Sequence, residues 1–161
     1  MMFVNARALI ERTTEGTTQL VIQLRNKTGE PALWELPGGR IEPFESLTAA
    51  LRREVMEETG LTVVEIEGER TRIDTRGINP QFEVECIQPF AAYQTIQGPI
   101  DSVGFYFRCK AEGELLEAGD ETLQAQWIDR ERLERMFHEN PLQFANVDRA
   151  GIMYYLRQTK G

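Results

Sequence analysis

Phe3 to Ile10 lies in an alternating, strand-like segment, and Thr18 to Arg25 sets polar Gln19 and Gln23 around the apolar run Leu20-Val21-Ile22. Both read as strands, joined by a turn around Glu15-Gly16. Asn26 to Pro31 is polar and turn-rich, and Leu33 to Leu36 is a short strand running into Pro37-Gly38-Gly39. From Ser46 to Thr59 the spacing becomes helical, with Ser46 placed as N-cap and Gly60 where a helix stops. Leu61 to Ile66 reads as a strand. Phe82 to Ile96 is rich in β-formers, with Pro89 marking a break or an edge, and Gly98-Pro99 is a turn. Ser102 to Ala111 is a strong strand. A polar, acidic loop (Glu112 to Glu121) leads to another short strand, Gln124 to Ile128. Asp129 to His138 is a helix with an Asp cap, Asn140-Pro141 breaks it, and Val147 to Gln158 is a last helix. Strands and helices mix without strict alternation, so the expected class is α+β, a mixed sheet between helices. With 161 residues, no repeat and no long linker, a single domain over 1–161 is expected.

Composition narrows the function classes. Hydrophobic residues make up 41% and charged residues 27%, as in an ordinary soluble globular protein. No apolar run approaches the roughly 18 residues of a bilayer span. Met1 to Arg12 lacks the basic start, apolar middle and small-residue cleavage site of a signal peptide. A cytoplasmic location without membrane contact is therefore expected. The formal net charge of −8 argues against binding a DNA duplex, because such binding neutralises phosphates with Lys and Arg. A small phosphate-bearing substrate stays open, provided that something cationic mediates the contact. Cys86 and Cys109 cannot form a disulfide framework or a four-ligand zinc site by themselves. Both lie in apolar, strand-like stretches and are expected to be buried free thiols.

The helix over Ser46 to Thr59 breaks its own pattern. A core-facing stripe starting at Leu47 runs through Ala50, Leu51, Glu54, Val55 and Glu58. Its first half is apolar, but its second half puts two carboxylates where burial is expected, and Glu57 flanks the same face. Two like charges about 4 Å apart repel by roughly 4 kcal/mol at an effective dielectric of 20. Acids also weaken a helix C-terminus. Raised pKa values, intervening basic side chains or a bound cation would each relieve the repulsion. Carboxylate oxygens are hard ligands that suit Mg²⁺, Mn²⁺ or Ca²⁺. A solvated acidic face paired with Arg52 and Arg53 accounts for the helix equally well.

The spacing of the wider stretch separates these readings. Gly39, Glu45, Arg53-Glu54, Val55, Glu57-Glu58, Gly60 and Leu61 fill every fixed position of the Nudix box. The box reads Gly, five residues, Glu, seven residues, Arg-Glu, an apolar residue, any residue, Glu-Glu, any residue, Gly and an apolar residue. At average residue frequencies, chance supplies this with odds on the order of one in ten million. The chain thus resembles the Nudix hydrolase family, and the order of its other elements is similar to the family's α/β/α sandwich with a mixed central sheet.

The resemblance implies metal-dependent hydrolysis of a pyrophosphate linkage in a nucleoside diphosphate joined to another moiety, with Mg²⁺ or Mn²⁺ as cofactor. It implies Glu54 and Glu58 as main metal ligands, and Glu57 as a further ligand or the holder of a water. The carbonyl of Gly38 would add a ligand, since a backbone oxygen approaches a metal where no side chain obstructs the turn. Glu45 and Arg53 would pair and, with Gly39, support the site. The general base is either a glutamate of the box or Glu121, in Gly119-Asp120-Glu121. The substrate is a small nucleotide-like molecule of unspecified identity, and a second copy of the chain is a candidate partner.

Three other readings stay open: a catalytically silent nucleotide-binding regulatory module, a structural cation site, and another enzyme such as an isomerase. Trp34 is expected to anchor the core, and His138 to lie at the surface. Phe105, Tyr106 and Phe107 fall on alternate faces of a strand. Arg7, Arg25, Arg70 and Arg72 include candidates for a phosphate clamp, with solvated surface charge as the default for each. Specificity is expected in Asn26 to Pro31, Arg72 to Gln81 and Gln94 to Asp101.

Overall fold

β1 (Phe3–Thr14) and β2 (Thr17–Arg25) form a hairpin that is closed at Glu15-Gly16 and forked at its other end. Both turn residues have positive φ. The two strands pair from Glu11↔Leu20 to Thr14↔Thr17. Beyond that register they part. β2 takes β3 (Trp34–Glu35) as its neighbour, and β1 takes β4 (Gly38–Arg40). Leu36 and Pro37 join β3 to β4 across the fork. The computed structural model describes residues 1–160.

The remaining elements follow as α1 (Leu47–Thr59), β5 (Thr62–Ile66), β6 (Ile73–Asp74), β7 (Glu85–Cys86), β8 (Ala91–Gln94), β9 (Ser102–Glu112), β10 (Ala118–Gly119), β11 (Thr122–Asp129), α2 (Arg130–Glu139) and α3 (Asn146–Gln158). The main sheet runs β10-β11-β2-β1-β9-β5, with β3 on β2, β4 on β1 and β8 on β9. β1 and β9 are parallel and the other pairs antiparallel, so the sheet is mixed. β6 and β7 form a separate small ladder.

β1 is buried on both faces from Ala6 to Ile10. Ala6, Ala8 and Ile10 join Val21 and Phe107 against Ala50, Leu51 and Val55 of α1. Leu9, Leu20, Ile22 and Tyr106 face the other way, against Leu133 and Phe137 of α2 and Ile152, Tyr155 and Leu156 of α3. The period of two thus sorts the central strands between two cores, giving an α/β/α sandwich. Each fully buried Leu, Ile or Phe contributes about 1.5–3 kcal/mol.

Several local expectations change. β1 and β2 extend toward the turn beyond the segments read as strands, and β4 is an additional strand carried by glycines. Phe82 to Ile96 is not one strand: β7 and β8 are separated by residues 87–90. Asp129 occupies the N-cap position of α2, but its carboxylate accepts from Gln19 Nε2 (2.8 Å) rather than capping the helix. Cys109 is buried, whereas Cys86 is exposed because β7 lies outside the main sheet.

Candidate active site

α1 is fixed at both ends. The Ser46 hydroxyl accepts from Ala49 N (3.1 Å), and Glu85 Oε1 accepts from Leu47 N (2.9 Å). Gly60 closes the helix in the left-handed region at φ 79, donating to Met56 O. Ala50, Leu51 and Val55 are sealed in the core. One turn further, Glu58 is buried as well, Glu54 is half-buried and Glu57 is exposed.

Arg53 gathers the outer carboxylates. Its Nε and Nη2 grip Glu45 Oε2 and Oε1 at 2.7 and 2.9 Å. Its Nη1 lies 2.9 Å from Glu54 Oε1 and 3.4 Å from Glu57 Oε2. The Arg53 hydrogen bond holds the Glu45 carboxyl below the usual carboxylate range. Arg52 turns away to pair with Glu69.

The glycine turn lets the backbone reach these acids. Gly38 sits at φ 147, and a Cβ there would lie 2.4 Å from Ala6 O. A Cβ on Gly39 would lie 2.7 Å from the Glu54 carboxyl carbon, so Glu54 fills a space that only glycine leaves open. Gly38 N donates to Glu58 Oε1 at 2.7 Å.

Behind Glu58 lies a second, buried group of charges. Gln23 is fully buried on β2, and its Nε2 reaches Glu58 Oε1 and Glu35 Oε1 at 3.1 Å each. Arg7 is buried on β1. Its Nε and Asp148 Oδ1 form an ion pair at 2.7 Å without hydrogen-bond alignment, while its Nη2 donates to Asp148 Oδ2 (3.2 Å) and Leu36 O (2.7 Å). The same Asp148 Oδ2 accepts from Leu36 N at 3.1 Å. Glu35 Oε2 lies 3.8 Å from Arg7 and 3.6 Å from Arg25. Burial pushes the carboxyls of Glu35 and Asp148 up. Burial also carries Glu58 to about 8, against the pull of Arg7 and the Gly38 N–H, and Glu35 adds to the rise. Glu54 moves the same way through burial.

Three carboxylates (Glu35, Asp148, Glu58) thus meet two guanidiniums (Arg7, Arg25). Arg25 is also shared with Glu30, and no guanidinium lies within ion-pair distance of Glu58 among the described residues, so the group is short of positive charge there. A hard divalent cation fits that deficit and that donor set: carboxylate oxygens on one helix face beside a glycine turn with no side chain in the way. As they stand, no three His, Cys, Asp or Glu side chains among the described residues are gathered tightly enough to hold an ion alone. Backbone and solvent oxygens would therefore have to complete a coordination shell.

The turn carrying Glu121 docks on the end of α1. Asp120 N donates to Glu57 O (3.1 Å), and Thr122 Oγ1 donates to Glu58 O (3.1 Å). Glu121 itself has φ 55 and an exposed side chain. Trp34 packs half-buried against the core of α2 and α3, and His138 is exposed in the last turn of α2. Of the four arginines read as surface charge, Arg70 is exposed, Arg25 pairs with Glu30, and Arg72 pairs with Asp74 and Glu85. Arg7 is the correction: it is a core residue, because the fork of the sheet lets its guanidinium meet Asp148 of α3. Beside the N-terminal end of α1 lies a cavity of about 570 Å³, lined by Phe44, Glu45, Arg72, Arg76, Gln81 and Glu85 among others. Of the loops read as specificity elements, the segment Arg72 to Gln81 is the one that borders it.

Sequence reasoning missed Gln23, Glu35 and Asp148. The available signal was a polar residue interrupting each apolar run, at Arg7 between Ala6 and Ala8 and at Gln23 after Leu20-Val21-Ile22. Nothing in the linear order paired them.

A family model described as NUDIX domain matches residues 2–148. The chain is 29% identical over 144 residues to nucleoside diphosphate-linked moiety X motif 6 of Mus musculus, covering 86% of this chain and 38% of that one. It is 44% identical over 34 residues to 8-oxo-dGTP diphosphatase of Buchnera aphidicola subsp. Acyrthosiphon pisum, covering 21% and 27% respectively. The matches thus span well under two thirds of either relative. In fold it is similar to the crystal structure of MutT protein from Methanosarcina mazei Go1, with a TM-score of 0.62, 19% identity, and coverage of 99% and 96%.

Proposed function

The chain belongs to the Nudix family, and on that premise we propose that it hydrolyses a pyrophosphate linkage in a nucleoside diphosphate joined to another moiety. The observation that carries this reading is the placing of Glu54, Glu57 and Glu58 on one face of α1, against a turn built on Gly38, where φ and a backbone contact exclude a side chain. We assign Glu54, Glu58 and Glu57 as ligands of Mg²⁺ or Mn²⁺, with the Gly38 carbonyl as a further ligand. The cation, when bound, supplies the positive charge toward phosphate oxygens that a chain of net charge −8 lacks.

The chain's own residues do the remaining work. Gly38 N and Gln23 hold one oxygen of Glu58. Arg53 ties Glu54 and Glu57 to Glu45, so the helix face is joined to the preceding loop. A base must take the proton of the attacking water. Glu57 and Glu121 are the candidates, because both carboxylates are exposed and their segments meet at the end of α1. A small nucleotide in the cytoplasm is the partner of this reading, and no described helix is long and apolar enough to cross a membrane.

The test is phosphate or pyrophosphate release from a broad nucleotide panel with Mg²⁺ or Mn²⁺, comparing wild type with folded Glu58→Gln. Several kcal/mol of transition-state stabilisation are at stake, so kcat should drop by about 100-fold or more. Tight metal-dependent nucleotide binding without turnover in wild type would point instead to a regulatory module. For the base, Glu121→Gln should cost at least about 100-fold if Glu121 acts. Near-normal turnover would leave the role to a glutamate of the box.

A further inference from the structure

The fork between β1 and β2 holds a buried amide that neither the fold nor the outer carboxylates explain. Gln23 Nε2 stands 3.1 Å from Glu35 Oε1 and 3.1 Å from Glu58 Oε1. An amide nitrogen carries two hydrogens, one for each carboxylate. Turning the amide over would set its carbonyl oxygen against both acids, so the orientation is fixed by the neighbours themselves. That fixed orientation leaves Gln23 Oε1 buried without a hydrogen-bond partner among the described residues. A buried acceptor left unmade is costly, and here it is the consequence of directing the NH₂ group at the acids.

The two donors that reach Glu58, Gly38 N and Gln23 Nε2, converge on the same oxygen, Oε1. Oε2 accepts no bond among the described residues and is not sealed from solvent. Glu58 is thus divided into an inner oxygen anchored to β2 and β4 and an outer oxygen left available. The anchor has its own support. Glu35 holds the second hydrogen of the Gln23 amide and lies 3.8 Å from Arg7, which Asp148 fixes in turn. Arg7 and Asp148 also clamp Leu36 through its carbonyl and its N–H, one residue before Pro37 and the turn that supplies Gly38 N.

We propose that Gln23 is a positioning residue for divalent-cation binding, holding the inner oxygen of Glu58 so that the outer oxygen ligates, with Glu35 and Arg7 orienting the amide. This rests on the metal-ligand role assigned to Glu58 above. Residues that orient a metal ligand typically change affinity or activity by about 10- to 100-fold when removed. A buried glutamine with a merely structural role would change stability and leave the cation unaffected.

The experiment is Mn²⁺ binding by isothermal titration calorimetry on the full chain, with thermal unfolding of every variant. Gln23→Met keeps the volume and removes both donors. Its Mn²⁺ dissociation constant should rise by about tenfold or more, and at saturating Mn²⁺ its kcat should return toward wild type. Gln19→Met, on the same strand but bonded to Arg12 and Asp129, should bind as wild type does. If Gln23→Met does not unfold cooperatively, Glu35→Gln serves instead. It preserves shape but relaxes the orientation of the Gln23 amide, and it should weaken Mn²⁺ binding by a few fold. Wild-type affinity in the folded Gln23 variant, or in Glu35→Gln where that stands in, overturns the proposal while loss in Glu58→Gln keeps the parent reading. No Mn²⁺ binding by wild type, or undiminished binding by Glu58→Gln, overturns both.

Discussion

Two arginines organise carboxylates in this protein, and they do so in different media. Arg53 works at the surface of α1, reaching Glu45, Glu54 and Glu57 from a partly exposed position. Arg7 works inside the fork of the sheet, reaching Asp148, Leu36 and Glu35 with almost no exposure. At the surface, water and salt screen the charges, so an ion pair is worth little in stability and its use is to arrange side chains. Inside, each charge has lost its hydration, so removing one partner leaves an uncompensated ion. Glu58 stands between the two groups and belongs to the inner one. The difference explains why one helix carries an exposed acid at 57 and a buried acid at 58.

The comparison breaks most directly at Arg7. Arg7→Met strands Asp148 and leaves Glu35 with Arg25 as its remaining cation, and should cost about 3–5 kcal/mol in urea unfolding. Arg7→Met combined with Asp148→Leu should recover part of that loss. A cost below about 1 kcal/mol for the single variant would show that the inner group is not held as a charge network.

A pH series comes next in size. The Glu58 carboxyl is raised from its ordinary 4.5 to about 8 by burial. Between those values the metal-free native state keeps a proton that the unfolded chain has released. Its stability therefore falls as pH rises through that window, by up to about 1.4 kcal/mol per unit from this group. Glu35, Glu54 and Asp148 shift in the same direction. Urea unfolding without metal should show this decline, and Glu58→Gln should flatten it. Saturating Mg²⁺ should flatten it too, since the cation replaces the proton.

The smallest effects lie at the surface. Glu57→Gln should change unfolding free energy by less than about 1 kcal/mol, and less again in high salt. Arg53→Lys keeps the charge but loses the two-pronged grip on Glu45, so turnover should fall more than stability. A stability loss as large as that of Arg7→Met would erase the distinction between the two groups.

What could be read in the chain follows from this contrast. The outer group and Glu58 come from one continuous stretch, Gly39 to Leu61, in which helical spacing alone puts Glu54, Glu57 and Glu58 near one another. The inner group draws on β1, β2, β3 and α3, with Arg7 and Asp148 separated by 141 positions. In the sequence Arg7 is indistinguishable from a solvated arginine on an amphipathic strand, because its partner is set by packing between elements. The exposure of Cys86 was hidden for a related reason: apolar neighbours suggest a strand, but they do not say that it pairs outside the main sheet.

Periodicity and capping are local, short-range physics, and they sufficed for α1, its ends and the two central strands. The fork between β1 and β2 is different. It exists because β3 and β4 compete with the hairpin for hydrogen-bonding edges, and that competition is decided only when the sheet assembles. Whether a polar side chain on those strands meets water, a carboxylate or an amide depends on the outcome. The tertiary structure therefore decided which acids are buried, which are anchored, and which oxygen of Glu58 is left without a hydrogen bond among the described residues.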